Sequence, residues 1–345
     1  MAQVPLPFLT AAHSGVGGRI KEVPTDFEVE EIPAYEPSGT GEHLYLWVEK
    51  TDVGAEFFTR QISKRLNVAP GDIGTAGLKD RRAVTRQWVS VPSSAEFSLP
   101  QLDGDGIRVL KVTRHNNKLR AGHLRGNRFR ILVRGADSAV ALDPILDAIR
   151  QNGLPNFYGP QRFGRDGETL SLGWDLISGR PVKMRNHFLK KLALSAVQSD
   201  LFNRVLARRM ADGFFRTVLP GDVMAKWPAG GMFTTEDPAT EQTRFDAREI
   251  VHAGPMFGRK TFAAAALAAE REQAVLAEAD LPDQAFDNFG QLLLGTRRHN
   301  LVYVDDLTAE WEPDGLRLSF SLPAGCYATV LLGEVMKSEV ADISE

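Results

Sequence analysis

A single cysteine, Cys326, stands in 345 residues. An internal disulfide is therefore excluded and a reducing compartment fits; the thiol itself reads as a small buried hydrophobe. No apolar run approaches the ~20 residues of a helical membrane span. The opening MAQVPLPFLTAAHSG lacks the basic start and long apolar stretch of a secretory signal, so a cytoplasmic protein with no membrane attachment is expected. The seven histidines are scattered, without a His-x3-His pair, and no CxxC occurs. The usual metal-ligand spacings are thus missing, and no metal is expected. No GxSxG elbow is present for a serine hydrolase. The glycines around Arg162 follow neither GxGxxG nor GxxxxGKS/T spacing, so no nucleotide cofactor is expected.

What is present is an ordinary globular composition, 43% hydrophobic and 25% charged, in a chain long enough for two domains. The formal net charge of −3 does not mark a nucleic-acid binder. Exposed charges, however, are screened over about 8–10 Å, so an anionic partner senses local patches. One stretch is strongly one-sided. Between Arg108 and Arg134 lie nine cations, Arg114, Lys118, Arg120 and Arg125 among them, and no Asp or Glu. Charged faces usually mix signs. A one-sign run interleaved with Asn116, Asn117, Asn127 and Phe129 favours a phosphate-tracking surface.

The chain is organised around GTAGLKDRRAVTRQW, Gly74 to Trp88. The pattern predicts a short strand over 73–78 that stops at Lys79-Asp80-Arg81-Arg82, and a second strand from Val84 through Val91. Asp80 is one carboxylate among three cations, and nearby positive charge favours the ionised acid. A turn Asp commonly bonds only the backbone around it. Ionised, and at the end of a strand where loops meet ligands, it is also a competent nucleophile.

This stretch resembles the GxKDxxAxTxQ motif of the TruD family of pseudouridine synthases, which modify uridine 13 of tRNA, through Gly77, Lys79, Asp80, Ala83, Thr85 and Gln87. Four further runs match in order. Lys21, Pro24, Asp26, Phe27, Val29 and Glu31 resemble KxxPxDFxVxE, and Gly126, Asn127 and Phe129 resemble GNxF. Asn156, Phe157, Tyr158, Gly159, Gln161, Arg162, Phe163 and Gly164 resemble GxPNYFGxQRFG with the two rings exchanged. Leu322, Pro323, Ala324, Gly325, Ala328, Thr329 and Glu334 resemble LPAGxxATxxxRE; Gly333 replaces the expected Arg, which removes any salt bridge that Arg would make.

On its residues alone Phe27 is a core aromatic. The resemblance implies that Phe27, Asn127, Phe129 and Tyr327 form the uridine pocket and that Asp80 is the nucleophile on a flipped-out uridine. It further implies a tRNA partner and a reaction without a cofactor, and a monomer is expected. Adjacent side chains on an extended strand point to opposite faces, which makes Lys79 a poor partner for Asp80. Lys21 is expected to reach Asp80 across the sheet as its catalytic partner.

Along the chain, strand patterns occupy 19–32, 43–50, 107–113 and 128–134, with a Gly-, Asn- and Arg-rich connection ending in LRGNRF between the last two. A helix is predicted over 52–67 with Asp52 as N-cap and Val53, Phe57, Ile62 and Leu66 as core, and another starts at Asp143. From Gly153 the texture becomes more helical, with predicted helices over 186–210, 261–278 and 286–294 around a Gly- and Pro-rich stretch at 212–260. Strands return at 301–304, 309–311 and 316–322. With the resemblance, this gives an α+β fold: a pseudouridine-synthase-type catalytic domain of mixed, mainly antiparallel sheet from 1–152 and 304–345, and an inserted, more helical TRUD domain, 153–303. Two other functions compete. One is a non-catalytic tRNA-binding or RNA-chaperone protein. The other is a carbohydrate-active enzyme using Asp80 with Glu30 or Glu31.

Overall fold

A computed structural model describes residues 6–184, 186–281 and 283–338. In chain order the first elements are strands β1 (Phe27–Pro33) and β2 (His43–Thr51), helix α1 (Ala55–Leu66), and strands β3 (Gly74–Thr75), β4 (Val84–Pro92), β5 (Ile107–His115) and β6 (Leu124–Arg134). Next come α2 (Asp143–Asn152), β7 (Leu154–Pro155), α3 (Glu168–Ile177), α4 (His187–Ala211), β8 (Val223–Lys226), β9 (Met232–Thr234), α5 (Pro238–Asp246), β10 (Ile250–Met256), α6 (Ala266–Glu278), β11 (Thr296–His299) and β12 (Leu301–Val302). The chain then returns through β13 (Thr308–Glu312), β14 (Gly315–Pro323) and α7 (Ala328–Met336).

Two compact units result. Among the described residues, one takes 14–146, 304–328 and 335–338; the other takes 6–13, 147–303 and 329–334. The division between 146 and 147 therefore falls inside α2. In the first unit, eight strands form one sheet in the order β13-β14-β6-β1-β4-β2-β5, with β3 on β4. Only the β1–β4 pair is parallel. The sheet is mixed and mainly antiparallel, and the fold is α+β. Helix α1 buries Phe58, Ile62 and Leu66 against Leu44, Leu46 and Val48 of β2 and Val89 and Val91 of β4. This stripe of residues four apart belongs to a helix lying flat on a sheet.

Three local expectations are corrected here. Asp52 is not the cap of α1: β2 runs to Thr51, Asp52 adopts a left-handed φ of 55°, and Gly54 is the N-cap. The helix consequently turns Phe58, rather than Phe57, fully into the core. The strand predicted at 73–78 survives only as Gly74–Thr75, and Leu78 is 84% exposed. The GNRF run lies inside β6 rather than in a connection. Gly126 is required there because a Cβ would collide with the Leu322 carbonyl of β14.

In the other unit, α4 is capped by Asn186, whose side chain accepts from the Phe188 and Leu189 amides. It packs with α3 and α6 through Trp174, Leu194, Val197, Leu201 and Val275. The Gly- and Pro-rich stretch supplies three strands of a four-stranded sheet, β11-β10-β8-β9, and β11 joins from 296–299. The GLPNFYGPQRFG run supports this unit's core: Phe157 and Phe163 are buried, the Asn156 amide donates to the His299 carbonyl at 2.9 Å, and Arg162 Nε donates to Ser199 Oγ at 3.0 Å. Glu334, which has no Arg before it, accepts from the Leu9 and Thr10 amides at 2.7 and 3.1 Å and from Thr10 Oγ1 at 2.6 Å.

Candidate active site

Because β1 and β4 run parallel, the segments that enter them lie side by side. Lys21 stands on the approach to β1 and Asp80 on the approach to β4. Lys21 Nζ lies 3.0 Å from Asp80 Oδ2, the ammonium buried and the carboxylate 33% exposed. Lys21 adopts a left-handed φ of 57°, and its ammonium sits 4.3 Å from the centroid of the Phe27 ring. That cation–π contact gives the buried charge a second partner. Asp26 shapes the turn between Lys21 and β1: it accepts from the Val23 amide and from Arg134 Nε and NH2 at 2.8–3.0 Å. Burial pushes the Asp26 carboxyl up, but the Arg134 guanidinium and the Val23 amide outweigh this and hold it below its ordinary value.

The loop carrying Asp80 is tied down by two more lysines. Lys79 turns away from Asp80 and meets Glu31 Oε2 at 2.8 Å, both side chains being buried. Glu31 Oε1 also accepts from the Trp88 amide of β4 at 3.3 Å, beyond the last β1–β4 pair at Glu30 and Arg86. Lys50, at the end of β2 and 1% exposed, donates to the carbonyls of Val53 at 2.6 Å, Asp80 at 3.1 Å and Lys79 at 3.4 Å. Burial pushes the Lys50 ammonium down to about 8, Asp80 raising it and Lys79 lowering it further.

Pairing across β1, β6 and β14 sets Val29 opposite Phe129 and Phe129 opposite Phe320. The Phe27 and Phe129 rings meet edge to face at 6.2 Å, and Phe129 stacks on Phe320 at 5.3 Å. Asn127 lies two residues before Phe129 on the same face of β6. Its Oδ1 is buried and has no hydrogen-bond partner. Phe27, Asn127 and Phe129 come from the neighbouring strands β1 and β6, and Lys21 and Asp80 from the segments that enter β1 and β4. Tyr327 is half-buried, past the end of β14 and directly ahead of α7.

The arginines and lysines of the 108–134 run divide into two groups. Arg108 pairs with Glu49, Arg114 with Glu96, Arg128 with Glu30, Arg130 with Glu28 and Glu312, and Arg134 with Asp26. Lys111, Lys118, Arg120 and Arg125 have no acid partner among the described residues. Arg114 also donates to the Gly41 carbonyl, and Lys118 to the Gly71 carbonyl. With Glu31 held by Lys79 and Glu30 paired to Arg128 on the opposite side of β1, neither provides the second carboxylate that the glycosidase reading requires.

Three comparisons bear on this geometry. The profile of tRNA pseudouridine synthase D (TruD) matches residues 4–187 and 180–335. The chain belongs to the TruD family. The tRNA pseudouridine synthase D of Anaeromyxobacter dehalogenans (strain 2CP-C) is 46% identical over 339 residues, covering 97% of each chain. A Thermus thermophilus tRNA pseudouridine synthase D is 43% identical over 343 residues, covering 97% of this chain and 93% of the relative. The crystal structure of the putative TruD from Methanosarcina mazei superposes with a TM-score of 0.78 at 23% identity, over 97% of this chain and 96% of that one, and shares its fold.

Lys50, Glu31 and Asp26 brace the segments that carry Lys21 and Asp80, a role the sequence did not indicate for them. Lys50 had a readable signal. It occupies the fourth place of an alternating series, Leu44, Leu46, Val48, Lys50, where the pattern calls for an apolar residue. The Asp26–Arg134 and Glu31–Lys79 pairs span 108 and 48 residues, and no local pattern indicates them.

Proposed function

We propose that this chain isomerises uridine to pseudouridine at position 13 of tRNA, with Asp80 as the nucleophile on a flipped-out base. The observation that carries the reading is the half-exposed Asp80 carboxylate against the buried Lys21 ammonium at 3.0 Å, within the family's motif. Lys21 is the counter-ion beside the acid, and Lys50 fixes the backbone that presents it. The everted uracil docks at Asn127, Phe129 and Phe27, with Tyr327 as a fourth contact. The unpartnered Asn127 Oδ1 suits the N3–H of uracil, and its Nδ2 suits a ring carbonyl. Extrusion costs a few kcal/mol of stacking, which aromatic contacts offset at about 1–3 kcal/mol per base.

Asp80 then promotes cleavage of the N1–C1′ bond, by attack on the ribose or the base or through a glycal. The freed uracil rotates and re-bonds through C5, the C5 hydrogen leaves as a proton, and N1 takes up a proton in exchange. Reactant and product are isomers, so the balance requires no redox partner or phosphate donor and no cofactor. The exposed Arg120 and Arg125, with Lys118, hold the tRNA backbone; Arg114 joins them only by giving up its pair with Glu96. The segment 153–303 acts as the inserted TRUD domain of a monomeric, cytoplasmic enzyme.

Substitution of Asp80 by Asn tests the assignment. Tritium release from C5-labelled tRNA is expected to be abolished, with tRNA affinity held within about three-fold, since one uncharged isostere removes little binding. Turnover by Asp80→Asn at the parent rate would overturn the nucleophile. A parent protein that binds tRNA and releases no tritium would instead leave a non-catalytic RNA-binding protein.

A further inference from the structure

The loops that follow β1 and join β5 to β6 enclose a groove of about 700 Å³ lined by Tyr35, His43, His115, Lys118, Arg120 and His123, with Asn116, Asn117 and the lone acid Glu36. Its size lies within the ~300–1,000 Å³ of small-molecule sites. Two features set its chemistry. It is rich in ring surface: Tyr35 stacks on His115 at 5.0 Å and meets His123 edge-on at 5.5 Å. It is also rich in donors. The Ser38 backbone amide can only donate, and it points at His115 Nδ1 at 3.1 Å, so the proton of the neutral ring sits on Nε2. Lys118 and Arg120 are two of the four cations in the basic run with no acid partner among the described residues.

The groove is mechanically joined to the active-site loop. The Gly122 amide donates to the Ala76 carbonyl at 2.8 Å, and the Leu119 amide to Ser90 Oγ at 2.9 Å. Ala76 precedes Asp80 by four residues, at most about 14 Å of extended chain. Rings, donors and unpaired cations together match a nucleotide: a base face for stacking, carbonyl oxygens for the donors and a phosphate for the cations. A bare anion would leave the rings unused.

We propose that this groove is a second nucleotide site, which seats an unpaired nucleotide flanking the target uridine and so helps select the position modified. The proposal rests on the pseudouridine-synthase reading and adds a contact outside the reacting base. The flanking base lies against Tyr35 and His115, and its phosphate lies between Lys118 and Arg120. Neither group takes part in the chemistry.

The test uses full-length Asp80→Asn protein and tRNA transcripts that each carry one 4-thiouridine, at the target or at an unpaired position within three nucleotides of it. After irradiation the cross-linked peptides are mapped by mass spectrometry. One flanking position is expected to mark Tyr35 or the 115–123 segment, while the target position marks the Asp80 pocket. Adding Arg120→Glu, an exposed change that disturbs no core, is expected to suppress the flanking cross-link and weaken tRNA binding about ten-fold, and Tyr35→Ala by roughly ten- to hundred-fold, the loss of one stacked base. Target cross-links without any flanking cross-link to the groove would overturn the second site and leave the catalytic reading standing. So would unchanged affinity in both variants. Failure of every transcript to bind would remove the catalytic reading, and the groove with it.

Discussion

Lys50 is a cation placed where water does not reach, and its three carbonyl partners include that of the proposed nucleophile. Its charge is therefore coupled to the position of Asp80. Burial lowers it to about 8, against 10.5 for an ordinary lysine. Between these values the unfolded chain holds a proton that the folded protein has released, so raising the pH across this window favours the folded state. Activity and stability should therefore part company. Isomerisation is expected to fall along a one-proton limb centred near pH 8, while the urea midpoint owes no loss to Lys50 over the same range. Lys50→Arg keeps the charge at every accessible pH and should move that limb upward. Lys50→Met should lower kcat with little change in KM, because Lys50 is buried and offers a substrate no surface. A limb that stays put in Lys50→Arg would assign it to another group. Side-chain alternation around the charged turn excluded Lys79 as the partner of Asp80, and Lys21 was indicated by the motif resemblance. Lys50 was not assigned, because a lysine closing a strand reads by default as an exposed end.

At the scale of the elements, one parallel pair in a mainly antiparallel sheet has the largest effect, since it brings the entries of β1 and β4 together. The short helix-like turn before β1 is held by Arg134 from the far end of β6, and the loop before β4 by Glu31 from β1. Removing one partner from the buried Lys79–Glu31 pair leaves an uncompensated charge. Lys79→Met is expected to cost about 3–5 kcal/mol of stability in urea titration. Adding Glu31→Gln should recover a good part of that, whereas independent losses would simply add. Alternation and turn residues made most strands of the first unit readable. They failed where glycine made two opposite readings equal. The GTAG run reads as strand yet leaves the sheet at Ala76, and GNRF reads as turn yet lies in β6 because β14 approaches Gly126 too closely for a side chain. The sheet formed by β8 to β11 escaped because its strands are three to seven residues long and wholly or partly buried, with no clean alternation.

For the molecule as a whole, neither the net charge of −3 nor the one-sign run describes the surface that an anion meets. Strand pairing brings Glu28, Glu30 and Glu49 beside Arg108, Arg128 and Arg130, partners 59 to 102 residues away in sequence. Chain order hides such neutralisation, and only the register reveals it. What is left positive is the cluster Lys111, Lys118, Arg120 and Arg125, around the connection of β5 to β6. Each phosphate contact contributes about 0.7–0.9 to the slope of log K against log salt. Neutralising all four to Gln should therefore flatten that slope for tRNA by about 3, and each single change by just under 1. Arg128→Gln and Arg130→Gln, taken from pairs already satisfied within the sheet, should leave the slope where it was. If those two changes flattened it as much as Arg120→Gln does, the cross-strand pairs would have to open on RNA. The positive surface would then be the whole run rather than its unpaired middle.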